Sequence, residues 1–424
     1  MSDARYEQFA AALIERGVLQ DPWYDGQPRF AMDAITLSEG RYRTLVRVGE
    51  EVAALYDELC GLVDEDPSLL EEFFGLTKTQ RILWQASAPR WHGIARADVF
   101  FTDEGIAVAE LNCDTPTGEA EATELNALAR QFAGESLDGL RDPNERLRER
   151  FVAMVDEVRR SIAGDDSPKS LGIIYPTEFS DDLSVIRLYR RWFEAAGYRV
   201  VLGSPYNIAT HEESGRATLF EQELSVLLRH YKTDWWTERE SVWSDEALAD
   251  TAPLIEPLRH ALAAEVEERT AIVNPFGAVV PQNKRAMALF WEHIHRFSTW
   301  AQGVIERVIP YTSRLETVHE AQLRAERDQW VLKSDYGAEG DEVIIGKQVS
   351  DEHWDKCLRL ARPGRWIAQR YFEAQPHSDG SIVNYGVYVV AGEFAGLYLR
   401  AQAGATNERA LSVPVFVERS AAAR

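Results

Sequence analysis

The sequence predicts a mixed α/β fold with a layer of parallel strands in its middle third, and three observations predict it. SLGIIYP, DLSVIRLYRRWFEAAG and YRVVLG, running on from Ser170, read as strand, helix and strand with Gly197 just past the helix. Such a βαβ unit requires parallel strands. Residues 36–63, 119–133 and 144–163 space their apolar side chains by three and four, as helices do. The last hundred residues are mostly strand.

In chain order, the helix over 36–63 opens at Thr36 with Glu39 three residues on, a capping-box pattern. Leu45, Val48, Val52, Leu55, Leu59 and Leu62 give it one apolar stripe. Shorter helices follow around SLLEEFFGL and TKTQRILWQA, and the period becomes that of strands at residue 95. GDDSPKS (164–170) is the best linker candidate. After the βαβ unit come a further strand, LSVLLRHYK, an aromatic and acidic stretch, DWWTERESVW, and helical segments over about 245–307. QWVLK, DEVIIGK, RWIAQRYF, SIVNYGVYVVAGEFAGLYLR and ALSVPVFV read as strands, with SDEHWDKCLRLAR as the helix among them.

A length of 424 residues allows two to four domains or one interlocked fold. With 46 basic residues against 69 acidic ones the formal charge is −23, which opposes binding to nucleic acid or an anionic membrane. Cys60, Cys113 and Cys357 are odd in number and far apart, so a disulfide framework is not expected and a reducing cytoplasm is. The opening residues carry acids where a secretory signal needs bases, and no apolar run approaches a membrane span.

The most informative segment is RADVFFTDEGIAVAELNCDTPTGEAEA, from Arg96. Asp103, Glu104 and Gly105 suit a three-residue hairpin loop, a type I turn closed by a left-handed glycine. That loop pairs Thr102 with Ile106, and the ladder then sets Asp98 opposite Glu110 and Arg96 opposite Asn112 on one face. Two carboxylates facing each other across a ladder destabilise it by up to about 1 kcal/mol, so something compensates. Arg96 is one candidate. A divalent cation is another, because two carboxylates and a carboxamide form an all-oxygen set that suits Mg²⁺ or Mn²⁺ better than zinc. A solvated face with a surface ion pair is the plainer alternative. Asn112 leads into the polar turn Cys113, Asp114, Thr115, Pro116 and Thr117, where ligand-binding loops sit.

Only seven of the 46 basic residues are lysine. Lys333 ends QWVLK and is followed by SDYGAEGDEVIIG, with Gly337 and Gly340 before the next strand. Strand, glycine loop and strand make a flap that lays backbone N–H groups over phosphates, with the lysine as a point charge. An ordinary hairpin turn gives the same pattern. The GxxxxGK[ST] signature of the P-loop is missing. Lys284, in VPQNKRAMALFWE, stands in the first turn of a helix, against the helix dipole, which points to an anion there. RWIAQRYF fits a hinge strand beside an adenine pocket, and equally any core strand.

Together these residues resemble the glutathionylspermidine synthetase family, within the circularly permuted ATP-grasp ligases, over roughly residues 20–418. RADVFF and, twelve residues on, AELNCDTPT are similar to its RxD strand and (E/F)xNxDTPT loop. YKTDWW resembles its lysine- and tryptophan-rich strand, PQNKRAMALFWE its SNKA helix and VLKSDYGAEGDEV its KPxxGREG loop. GLYLRAQAG and TNERALSVPVF resemble its GIGIR and SRFVP strands. The resemblance implies an ATP-grasp fold of circularly permuted type with an inserted parallel α/β layer. Residues 1–165 would supply the N-terminal helices and the metal hairpin, 168–275 the substrate-side layer and 276–424 the nucleotide-binding region. It implies that Asp98, Glu110 and Asn112 hold Mg²⁺, and that Lys284 and Lys333 meet the phosphates of ATP under a loop containing Gly337, Glu339 and Gly340. Gln369 and Tyr371 would line the adenine side. Arg96 would stabilise the reacting carboxylate, Arg400 would hold the acyl substrate, and Thr115, Thr117, Lys232 and Thr233 would border the substrate, the last two on a strand. Ala338 departs from the arginine of the family's loop, and Glu178, Asp181 and Asp182 match its polyamine-receiving acids only loosely. The fused amidase domain of some members is missing.

The implied enzyme is an ATP-dependent carboxylate–amine ligase that forms an amide through an acyl phosphate, using ATP and Mg²⁺. Such catalysis is positioning and charge stabilisation, under a loop that excludes water. Its partners would be a small-molecule or peptide carboxylate and an amine, whose approach an acidic surface favours. Nothing in the sequence sets the oligomeric state. Three rivals remain: a ligase for other amino-acid, peptide or amine substrates, a non-catalytic nucleotide-binding scaffold suggested by Ala338, and a thiol hydrolase using Cys113, which lacks a histidine nearby in sequence.

Overall fold

At the centre of the computed structural model, segments from the two ends of the chain form one antiparallel sheet. The structure describes residues 4–133, 137–177, 182–238, 240–247, 251–337, 342–404 and 409–419. The sheet runs Leu411–Val413, Glu393–Gln402, Ile382–Val390, Ile94–Thr102 and Gly105–Asn112. Side chains alternate across it. Ala97, Val99, Leu111, Val387, Leu397 and Leu399 turn to one face and join the core built on Val48, Val52, Leu55 and Leu59 of the long helix. Arg96, Asp98, Glu110, Asn112, Asn384 and Arg400 are left for the other face.

The long helix is Glu39–Glu65, and Ser38, not Thr36, caps it by accepting from the Arg41 N–H at 3.3 Å. Thr36 lies in a short strand, Ile35–Leu37, that pairs in parallel with Val415–Val417. Burial of Ile35 and Leu37 keeps that backbone extended, so the helix starts later.

The hairpin differs from expectation in a way that preserves its outcome. Thr102 pairs with Gly105, so the turn is the two residues Asp103 and Glu104, with Gly105 at φ 139°. One extra residue, Ala109, interrupts the ladder between the Val99–Val108 and Asp98–Glu110 pairs. This β-bulge restores the expected pairs Asp98–Glu110 and Arg96–Asn112. It also turns Val108 onto the apolar face, where it is 1% exposed.

Ser170–Ile174, Leu183–Ala195 and Arg199–Gly203 form the expected βαβ unit, with parallel strands. The sheet order is Ala271–Val273, Val226–Arg229, Ser170–Ile174, Arg199–Gly203, all parallel. Ala271–Val273 falls inside the stretch read as helical; three residues leave no periodicity to detect. Residues 233–237 form a short helix, so Lys232 and Thr233 stand at its start and not on a strand.

A second antiparallel sheet runs Thr312–Arg314, Trp366–Arg370, Trp330–Ser334 and Val343–Ile345. Trp330, Leu332, Trp366 and Ala368 pack with Trp354 of the helix Asp351–Leu360. Lys333 and Gln369 point the other way, into a cleft shared with the central sheet. Asn274 ties the hairpin ends to the parallel sheet: its Oδ1 accepts from Gly93 N and Ile94 N, and its Nδ2 donates to the carbonyls of Ile94, Cys113 and Asp114, all at 2.8–3.0 Å.

Candidate active site

A cleft of about 1590 Å³ opens between the polar face of the central sheet, the second sheet and the parallel layer. Its most charged wall centres on Asp98, which is 3% exposed. Arg96 Nε donates to Asp98 Oδ1 at 2.8 Å, while Arg400 Nη2 and Asn384 Nδ2 donate to Oδ2 at 3.1 and 3.0 Å. Burial alone would raise this carboxyl, but Arg96 and Arg400 overcome it and hold it below the usual carboxylate range. The like-charge pair foreseen across the ladder is thus compensated by arginine on the Asp98 side.

Glu110 is compensated by lysine. Lys284 Nζ lies 3.6 Å from Glu110 Oε2 and also donates to the Gly337 carbonyl. Burial would raise the Glu110 carboxyl; Lys284 and, less strongly, Lys333 and Arg96 bring it below its ordinary value against the repulsion of Asp98. Lys284 caps the helix Arg285–Glu292, and Glu110 is an anion facing it. Lys333 Nζ donates to the Ala109 carbonyl at 3.0 Å, and its ammonium is pushed down to about 8, chiefly by burial, with Lys284 adding to the effect.

The donor atoms suit a hard divalent cation. Asn112 Nδ2 donates to Glu110 Oε1 at 3.3 Å, and Asn112 Oδ1 takes no hydrogen bond from a described residue. A carboxylate offers about four acceptor positions, of which three at Asp98 are used. Among the described residues no group of three or more His, Cys, Asp or Glu has metal-binding geometry, so a cation here would rest on two carboxylates and a carboxamide.

Thr115, Thr117 and Lys232 line the cleft, as do Gly337, Gln369 and Tyr371. The Thr117 carbonyl accepts from Arg96 Nη1 and from the Tyr388 hydroxyl, both at 2.7 Å. Gln369 Nε2 donates to Thr312 Oγ1 at 3.1 Å. Thr233 is buried behind the cleft wall, where its N–H and hydroxyl both donate to Asp114 at 2.7 Å beside the Arg229 guanidinium. Asp182 lines the cleft with His230 Nε2 at 3.4 Å. Glu339, Gly340 and Ala338 of the glycine loop, and Glu178 and Asp181, lie outside the described residues. Cys113 is fully buried and burial pushes its thiol well up, which removes it as a nucleophile in this conformation.

Sequence reasoning missed Asn384 and Gly386. A Cβ at Gly386 would stand 2.8 Å from Arg96 Cδ and 3.0 Å from the Tyr398 carbonyl oxygen, so glycine is what lets Arg96 lie across the neighbouring strand. The signal was present: in SIVNYGVYVV, Asn384, Gly386 and Tyr388 alternate with Val383, Tyr385 and Val387.

The family model described as "Glutathionylspermidine synthase preATP-grasp" matches residues 69–418. No curated protein matches in sequence. Among solved structures, a glutathione synthetase-like effector from Globodera pallida, in its apo form, superposes with a TM-score of 0.62 at 11% identity, over 97% of this chain and 96% of that one. A protein named as a gamma-glutamylcysteine synthetase, from Methylobacillus flagellatus, gives 0.48 at 12% identity over 87% of this chain and 86% of that one. The first likeness shows a shared fold, of mixed α/β architecture.

Proposed function

The chain belongs to the glutathionylspermidine synthase preATP-grasp family, and from that premise we propose that it is an ATP-dependent carboxylate–amine ligase acting through an acyl phosphate. The observation that carries this reading is one juxtaposition. Asp98, Glu110 and Asn112 stand on a single sheet face with Arg96 and Arg400, and Lys284 and Lys333 meet them from a helix start and a strand of the facing sheet.

In this reading Asp98, Glu110 and Asn112 would hold Mg²⁺, and Lys284 and Lys333 would meet the phosphates of ATP. The bound nucleotide and metal supply phosphoryl activation of a carboxylate. Arg96, fixed by Asp98 and the Thr117 carbonyl, orients that carboxylate and offsets charge on its oxygens. Arg400 aligns the acyl substrate. Lys284 donates to the Gly337 carbonyl, which keeps its ammonium beside Glu110. Residues 276–424 form the nucleotide side, 1–165 the metal hairpin and 168–275 the substrate side. No helix among the described residues is long and apolar enough to cross a membrane.

The test is ADP release on mixing the protein, ATP and Mg²⁺ with panels of carboxylates and amines. Release that requires both substrates and is lost in Asp98→Asn and Lys333→Ala supports the ligase. Unchanged release in either variant overturns the site.

A further inference from the structure

We infer that Arg365 is a positioning residue for phosphate binding, which sets the spacing of Lys284 and Lys333 by clamping Asp335 and ties that spacing to the parallel layer through Glu238. The inference rests on the ligase reading and adds to it a link between the substrate side and the nucleotide side.

Lys284 and Lys333 come from different elements, a helix start and a strand, so their spacing depends on what joins those elements. Asp335 is the joint. It stands two residues beyond Lys333, is buried, and its carbonyl accepts from the Lys284 N–H at 2.9 Å. Ser334 pairs with Trp366 at the end of the second sheet, and the ladder runs on by one residue, with Asp335 N donating to the Arg365 carbonyl at 2.8 Å. Arg365 Nε then donates to Asp335 Oδ2 at 2.5 Å. Burial would raise the Asp335 carboxyl, and Arg365 is the foremost charge lowering it, ahead of Arg285 and Lys284. A buried carboxylate deprived of its partner is costly. Without Arg365, the cations left to Asp335 are Arg285 and Lys284, and Lys284 is the one needed for phosphate.

The same guanidinium has a second arm. Arg365 Nη2 lies 3.3 Å from Glu238 Oε1, and both residues line the cleft. Glu238 ends the short helix Thr233–Thr237, whose Trp236 packs with Ile174 and Leu227 of the parallel layer. From there the aromatic and acidic stretch DWWTERESVW crosses onto the second sheet and its helix. The Val242 carbonyl accepts from Arg362 N at 3.0 Å and from Trp366 Nε1 at 3.1 Å, Ser244 N donates to the Leu360 carbonyl at 3.0 Å, and the Trp243 and Trp366 ring centroids are 4.6 Å apart. This stretch is a clasp between the two layers, and Arg365 is where the clasp reaches the lysines. A planar guanidinium can serve two carboxylates at once, which an ammonium does less well.

The test is calorimetric titration of ATP, with Mg²⁺ present, into the full chain and its variants. Arg365→Gln should weaken ATP binding about tenfold, within the range measured for coupled contacts. Glu238→Gln should weaken it about threefold alone and no further in the Arg365→Gln background, because both act through one guanidinium. Adenosine, which carries no phosphate, should bind the wild type and Arg365→Gln alike, a result that general damage to the cleft would not give. Wild-type ATP affinity in either single variant, fully additive losses in the double variant, or a parallel loss of adenosine overturns the inference. If Arg365→Gln does not fold, Glu238→Gln decides, with wild-type ATP affinity as the overturning result. A wild type that binds no ATP removes the ligase reading and the inference together, whereas ATP bound alike by wild type and variants removes the inference and leaves that reading.

Discussion

The ammonium of Lys333 lies 3.0 Å from the carbonyl oxygen of Ala109, the bulged residue of the hairpin. A bulge leaves its extra residue outside the ladder, and here the carbonyl so released holds a lysine whose charge the surroundings disfavour. Burial and Lys284 push that ammonium down to about 8, so it is charged below that pH and increasingly neutral above. Nucleotide affinity should therefore fall as pH rises from 7 to 9, approaching about tenfold per unit above 8. Calorimetry with ATP checks this. In Lys333→Met binding should be weaker throughout and the slope absent; an equal slope in both proteins would show that another group titrates.

Gly386→Ala should damage activity through Arg96. The added methyl meets the Arg96 side chain and a backbone carbonyl, so either the arginine leaves Asp98 or the strands part. We expect a stability loss of about 1–3 kcal/mol and a larger proportional fall in ADP release. A variant with wild-type turnover would show that Arg96 need not hold its present pose.

Asn274→Ala removes five hydrogen bonds that join the hairpin ends to the parallel sheet. Several buried backbone groups would be left unpaired, at about 1–3 kcal/mol each before relaxation. Urea unfolding should show a loss on the order of 3–5 kcal/mol. A loss under 1 kcal/mol would mean that water replaces the carboxamide.

Glu119 is fully buried, with Tyr189 donating to Oε1 at 3.1 Å and no partner on Oε2. Burial pushes its carboxyl up to about 7, from an ordinary 4.5. Between those values the folded chain keeps a proton that the unfolded chain has released, so this group's contribution to stability falls as pH rises from 4.5 to 7 and is flat above. Glu119→Gln should be the more stable protein at pH 8, by on the order of 1–3 kcal/mol, with the gap closing toward pH 4.5. Denaturant unfolding at pH 5 and pH 8 measures it, and a pH-independent difference would refute the assignment.

The polar face of the hairpin was legible because alternation with period two fixes which side chains share a face. The bulge was not, since an inserted residue leaves no mark in composition, and the two-residue turn compensates for it in register. Lys284 announced itself by opposing a helix dipole, and Glu110 proved to face it. The compensation of Asp98 by Arg400 and Asn384 was hidden because the register between Ile94–Thr102 and Ile382–Val390 is set by tertiary packing. Thr233 was misplaced because YKTDWW resembles a strand of the family, whereas here Asp114 accepts from the Thr233 N–H and hydroxyl at the start of a short helix.

The residues that bind Asp98 from other strands of the sheet, Asn384 by a hydrogen bond and Arg400 by its charge, come 286 and 302 positions later in the chain. During synthesis the hairpin is therefore made long before those partners exist, and it must wait with its two carboxylates opposed. Strand pairing over such separations is slow. The site's charge balance is thus among the last things a growing chain can acquire, and a truncated or stalled product would carry the Asp98–Glu110 pair without the sheet that holds it in place.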